Sequence, residues 1–196
     1  MARELDLADI QGNIVRPYGR FGFPVARYLL LHVANGKQGC RWLSALLPRV
    51  TTATTWGSSP GMVPKPLATL NIAINHAGLA ALKLPRESLD SFPPEFVQGM
   101  KKRKDILGDD GPSSPWHWDP VWHAEQAHHE VHVLLTLNAQ TPQALQEQYD
   151  WVEQQIRGSE GGVLLLHGHR GVGGALMPYQ EGHLLMENGQ PSPKEH

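Results

Sequence analysis

Five histidines, His117, His123, His128, His129 and His132, crowd one stretch of the chain beside Trp116, Trp118 and Trp122. Neutral imidazole is the commonest metal ligand, so a metal or haem site is the chemistry this cluster suggests. His117, His123, His128 and His129 are its candidate ligands. Their spacing matches neither the helical HExxH pattern nor a pair of histidines one turn apart on a helix. His128 and His132 would share a helix face, yet residues 131–138 alternate as a strand does. A loop of amphipathic side chains lying over a sheet edge accounts for the same residues without a metal. The three tryptophans admit an electron-transfer relay. In a proline-rich loop the stronger reading is anchoring, each ring burying ~150–250 Å².

Other chemistry-bearing segments read more plainly. Gly168-His169-Arg170-Gly171-Val172-Gly173-Gly174 follows an apolar run, but Leu176-Met177-Pro178 comes next where a phosphate loop needs a helix N-terminus. It is expected to be a turn. Lys101-Lys102-Arg103-Lys104 is expected to be a solvated helix face. The lone Cys40 can form no internal disulfide and is expected to be a small buried apolar residue. Arg16, Arg20 and Arg27 flank the N-terminal segment with no role legible from their spacing.

Composition bounds the rest. Of 196 residues, 40% are apolar and 18% charged, enough to bury a core. A formal charge of -2 gives no electrostatic reason to expect nucleic acid or an anionic membrane as partner. No stretch approaches the ~20 apolar residues of a membrane span. The N-terminus carries no signal-peptide pattern, and the expectation is a cytoplasmic protein.

These residues must be positioned by regular elements. Residues 1–24 read as an ordered arm rather than a helix. Tyr28–Val33 reads as a strand closed by Asn35-Gly36. Trp42, Leu43, Leu46, Leu47 and Val50 then mark one helix face, weakened at Pro48. Leu67–Asn75 alternates, with Leu70, Ile72 and Ile74 opposite Asn71, Ala73 and Asn75. A short helix is expected from Ala77, and a further one from Phe92 through Gly99 to Leu107. Val131–Asn138 is the third strand. Thr141 caps a helix with Pro142 in its first turn and Leu145, Tyr149, Val152 and Ile156 on one face. Gly162–His167 is the fourth strand. After Gly168 only a short hairpin near Leu184–Met186 is expected.

The order β-α-β-(α-loop)-β-α-β predicts an α+β, ferredoxin-like (split βαβ) fold, a four-stranded antiparallel sheet with helices on one face. The domain spans 25–170, between the arm and an irregular tail at 171–196. The second sheet face mixes Asn71, Ala73 and Asn75 with His132, Leu134 and Thr136. That suits packing against another sheet, in a dimer or a two-domain α+β barrel.

Several segments, in order, resemble the dye-decolorising (DyP-type) haem peroxidases. They are Asp9-Ile10-Gln11-Gly12-Asn13-Ile14, Leu70-Asn71-Ile72-Ala73-Ile74-Asn75, Gly78-Leu79-Ala80-Ala81-Leu82, Ser91-Phe92-Pro93-Pro94-Glu95-Phe96, Gln98-Gly99-Met100, Leu107-Gly108-Asp109 and Val131-His132-Val133-Leu134-Leu135. The resemblance implies one half of a dimeric α+β barrel, with haem b held mainly by a C-terminal haem domain and activity in hydrogen-peroxide-dependent oxidation of an organic reductant. It implies a catalytic Asp, a distal Arg and a proximal His, none of which maps onto this sequence. Glu195 and His196 resemble the residues that precede the family's Gly-x-x-Asp-Gly segment, and the resemblance sets them near the haem pocket. No tight haem binding is expected of this chain alone. Two other readings use the same residues: a self-associating module that pairs through its mixed sheet face, and a metal-binding protein built on the histidine cluster.

Overall fold

Two alternating segments and two apolar runs produce four long strands: β1 (Val25–Val33), β2 (Ala68–Ile74), β3 (Val133–Ala139) and β4 (Val163–Arg170). The structure is a computed structural model that describes residues 5–18, 22–123, 130–170, 176–178 and 181–183. The strands lie in the order β2-β3-β1-β4, every neighbouring pair antiparallel. This is the expected split βαβ arrangement, and the sheet is open rather than closed into a barrel. Two short strands add to it: β5 (Leu176–Pro178) beside β4, and β6 (Glu181–His183) beside the Val25–Arg27 end of β1.

Register divides the side chains between two faces. Leu29, Leu31, Leu70, Leu135, Leu137 and Val163 are buried on one of them. Helices α2 (Gly36–Leu46) and α7 (Pro142–Gly158) cover that face with Trp42, Leu46, Leu145, Val152 and Ile156. Burying each such side chain contributes ~1.5–3 kcal/mol, so this layer supplies most of the driving force. Both helices start where the sequence caps them. Asn35 accepts a hydrogen bond from the Gln38 amide at 3.1 Å, and Thr141 from the Ala144 amide at 3.1 Å.

Between β2 and β3 the chain forms α3 (His76–Ala81), α4 (Arg86–Asp90), α5 (Pro94–Lys102) and α6 (Lys104–Leu107). A single helix was expected from Phe92 to Leu107. It is broken at Gly99, whose φ of 65° lies outside helical space, and ended at Gly108, φ 74°. Ahead of β1, a single helical turn, α1 (Gly12–Val15), interrupts the arm.

Three further expectations need correction. Leu47 is exposed, because Pro48 turns the end of α2 into a 3-10 turn over Leu47–Arg49. Cys40 is exposed, its Sγ 3.3 Å from the Leu82 carbonyl. The stripe that α2 buries runs through Gly39, Trp42 and Leu46, and Cys40 sits a rotation of ~100° outside it. The fourth strand continues past His167 to Arg170, through residues read as a turn, and β5 and β6 extend the sheet beyond it. Residues 184–186, where a hairpin was expected, lie outside the described residues.

Candidate functional site

The second sheet face is where polar chemistry gathers. It carries Leu30 and His32 of β1, Asn71 of β2, His132, Leu134 and Thr136 at and along β3, and Leu164 and Leu166 of β4. The 115–123 loop packs across part of it. Two tryptophans of that loop are not its anchors: Trp116 is 75% exposed and Trp122 42%. Val121 takes the anchoring role, 3% exposed and packed with Leu30 and Leu166. The loop braces itself instead. Trp118 Nε1 donates to the Ser113 carbonyl at 3.0 Å, and the Asp119 carboxylate accepts from the Val121 amide at 3.1 Å. A small branched residue between two rings gave no sequence signal as strong as the rings.

The histidines scatter. His117 is exposed at the end of a 3-10 turn, Pro115–His117. His123 is half-buried, its Nε2 3.2 Å from the Trp118 carbonyl oxygen. His128, His129, Glu195 and His196 lie outside the described residues, as does Arg20. Among the described residues no group of three or more His, Cys, Asp or Glu side chains is placed to hold a metal ion.

His132 behaves differently from the rest of its cluster. It is 7% exposed and immediately precedes β3, its amide donating to the Leu31 carbonyl of β1. Its ring stacks on His32 with centroids 4.4 Å apart and planes at 26°. Nδ1 accepts a hydrogen bond from the Val33 amide at 3.1 Å, and Nε2 lies 3.8 Å from a Glu130 carboxylate oxygen. Burial, and then the neighbouring His32, hold its pKa below the ordinary histidine value, while Glu130 pulls the other way. His32 places Nδ1 2.8 Å from the Glu130 carbonyl oxygen. The tie between rings 100 positions apart is a product of register, which spacing within one segment does not reveal.

A groove of about 830 Å³ opens against the Glu130–Val131 segment that leads into His132. Its walls are Asn75 and His76 at the start of α3, Phe96, Val97 and Met100 of α5, Trp118 and Trp122 of the loop, and the Glu130–Val131 segment. His76 turns Nε2 to the Leu89 carbonyl at 3.2 Å and meets Phe92 and Phe96 edge-on. Lys101, Lys102 and Lys104 of the basic run are exposed, as a solvated face should be.

The outer edge of β2 explains the Asp9–Ile14 segment. Gln11 clamps the outer edge of β2: Nε2 donates to the Ile72 carbonyl and Oε1 accepts from the Ile72 amide, both at 2.8 Å. Oε1 also accepts from Asn71 Nδ2 at 3.2 Å. Thr51 does the same one pair along, its amide donating to the Leu70 carbonyl and its hydroxyl accepting from the Leu70 amide. Arg16 holds the arm by donating to the Thr54 and Ala53 carbonyls, and its guanidinium lies over the Trp56 ring at 4.6 Å. Arg27 is buried under α7, stacked on Tyr149 at 4.2 Å. Tyr18, packed against Phe23 and Trp56, has its pKa pushed up to about 12 by burial, against the opposing charge of Arg16.

An open ferredoxin-like sheet with helices on one face, and a mixed second face that the described residues cover only in part, makes one layer pair of the α+β class. The family described as the DyP dimeric alpha+beta barrel domain matches residues 9–170, and the chain belongs to it. Solved structures similar to it include an ancestral D-type dye decolorizing peroxidase (TM-score 0.61, 23% identity, 79% of this chain and 32% of that one). Others are a protein described as DyP (0.63, 20%, 87% and 35%) and a decolorizing peroxidase from Auricularia auricula-judae (0.60, 21%, 86% and 35%). The chain thus spans about a third of the length of these structures. No curated protein sequence matches it. No helix among the described residues is long and apolar enough to cross a membrane.

Proposed function

We propose that this chain serves as the N-terminal domain of a DyP-type haem peroxidase, an enzyme that uses hydrogen peroxide to oxidise organic reductants. The observation that carries the reading is the family match over residues 9–170, on a sheet whose second face the described residues cover only in part. The domain's own contribution is a rigid sheet, sealed by α2 and α7 on one side and offered on the other to a second, haem-carrying domain.

The histidine side chains described above do not fit haem. A histidine-ligated haem iron needs an imidazole nitrogen whose lone pair is free to reach it. His132 commits Nδ1 to the Val33 amide and turns Nε2 towards Glu130. The Nε2 atoms of His76 and His123 face backbone carbonyls, and His117 is exposed. The haem b of the proposed parent is therefore assigned to residues other than these, and no catalytic step is routed through them.

The test is made on the gene product that contains this sequence, purified from its own cells. Expected are a Soret band and peroxide-dependent bleaching of an anthraquinone dye. A product with neither, eluting as a stable self-associated species, would replace this reading with a non-enzymatic module.

A further inference from the structure

The Glu130–His132 segment joins the histidine-rich stretch to β3, and its first two residues, Glu130 and Val131, form one wall of the groove. Five hydrogen bonds hold it. The His132 amide donates to the Leu31 carbonyl at 2.8 Å, and the Asn75 amide donates to the His132 carbonyl at 3.1 Å. Asn75 Nδ2 donates to the Val131 carbonyl at 2.6 Å. His32 Nδ1 meets the Glu130 carbonyl, and the Val33 amide donates to His132 Nδ1. The first three are insensitive to pH. The last two pass through imidazoles.

The β1–β3 ladder ends at the pair Leu31 and Val133, so the Val33 amide has no β3 carbonyl opposite it. The His132 ring takes the place of that carbonyl. A neutral imidazole with its proton on Nε2 can accept there, and an imidazolium cannot, since both nitrogens then carry protons. Protonation also sets a positive charge in a buried position against the stacked His32 ring. One proton therefore removes an acceptor and disfavours a ring stack at the same point.

We propose that the His32–His132 pair is a proton-operated latch that fastens the Glu130–Val131 wall of the groove to β1 and releases it on acidification. The surroundings leave few compensating charges. Among the described residues, His32 is the titratable group of β1 that faces the ring, and Glu130, at 57% exposure, is the carboxylate of its own segment. At α3 the contacts are Asn75 and the backbone at Gly78, neither titratable, while His76 is turned to Leu89. In the loop, Asp119 lines the groove with Glu130 and caps Val121, and His123 faces the Trp118 carbonyl. Gly78 keeps the assembly tight, because a Cβ there would lie 2.5 Å from the His132 carbonyl oxygen. The latch concerns this chain's own residues and does not depend on the peroxidase reading.

The experiment is residue-resolved amide hydrogen exchange on the 196-residue chain between about pH 7.5 and about pH 5, corrected for intrinsic exchange, across the range where histidine titrates. Protection of the Val33, Asn75 and His132 amides should fall, by roughly tenfold per pH unit once His132 titrates. The Leu29 and Leu135 amides in the ladder should hold. His132→Asn supplies a carboxamide oxygen near the position of Nδ1 that does not titrate, and should flatten the dependence. His32→Asn, which removes the stacked imidazole that helps hold the His132 pKa down, should move the loss to higher pH. Wild-type protection that does not change with pH overturns the latch. So does an unaltered pH dependence in His132→Asn or, if that variant does not fold, in His32→Asn.

Discussion

Replacing Gln11 with Ala tests the strap at the edge of β2 directly. The substitution removes three hydrogen bonds: two to the Ile72 backbone at 2.8 Å and one from Asn71 at 3.2 Å. Each is worth ~0.5–1.5 kcal/mol net. Ile72 lies on the sheet edge, where water can replace the lost partner, so its two bonds fall at the low end. Asn71 is 1% exposed but keeps its second bond, to the Thr51 carbonyl at 3.0 Å. The expected loss is about 2 kcal/mol. In urea, with a slope of ~2 kcal/mol/M, the unfolding midpoint should drop by ~1 M with the slope unchanged. Gln11→Glu should fall between Ala and wild type, because a carboxylate can accept from the Ile72 amide but cannot donate to its carbonyl. A midpoint shift below ~0.3 M for Gln11→Ala would refute the clamp, and a Gln11→Glu variant as stable as wild type would show that the donor arm is idle.

Other positions give sharper local tests. Gly12→Ala should destabilise by ~1–3 kcal/mol, since the added methyl collides with the Tyr18 hydroxyl and the Thr52 carbonyl; an unchanged melting temperature would count against the packing described. Thr141→Ala should cost ~1 kcal/mol through loss of the cap on the Ala144 amide, read from the same urea curves. Trp116→Ala should leave the stability of this chain within ~0.5 kcal/mol, because the ring is exposed; a larger loss would restore the anchoring role that the structure gives to Val121. Stability should also depend on pH with a fixed sign. The folded state holds His132 below the ordinary histidine value, so the unfolded chain binds more protons, and stability declines as pH falls below ~6.5. Denaturation curves at a series of pH values should show less of this decline in His132→Asn than in wild type, and equal declines would sink the assignment.

How much of this was legible in the sequence depends on how local each cause is. Strands read well because the alternation of Leu70, Ile72 and Ile74 with polar neighbours is a local pattern, and α7 read well because Thr141, Pro142 and a periodic face all agree. The break at Gly99 was missed because glycine within a helical pattern does not announce its φ. The exposed Cys40 was missed because composition gives a residue's usual burial, not the direction in which its helix face points. Val121 was overlooked beside three tryptophans, since ring size is visible in a sequence and the fit against Leu30 and Leu166 is not. The His132 site needed register. Its place with Leu134 and Thr136 on the mixed face follows from alternation, but the Val33 amide it satisfies is 99 residues away.

The strap and the latch solve one problem in two chemistries. A strand edge, or a ladder that stops short, leaves backbone groups without partners, and water is a poor substitute where the site is covered. At the outer edge of β2 the partner is a carboxamide, which both donates and accepts and does so at any pH the fold survives. Beyond the end of the β1–β3 ladder the partner is an imidazole, which accepts only while it is neutral. The carboxamide end is therefore expected to behave as fixed architecture and the imidazole end as a conditional one, and the two should separate on acidification. Between about pH 7 and about pH 5 the Ile72 amide, held by Gln11, should keep its protection while the Val33 amide, held by His132, loses it. Loss at both amides together would mean that the whole sheet is opening, and that neither end is a device of its own.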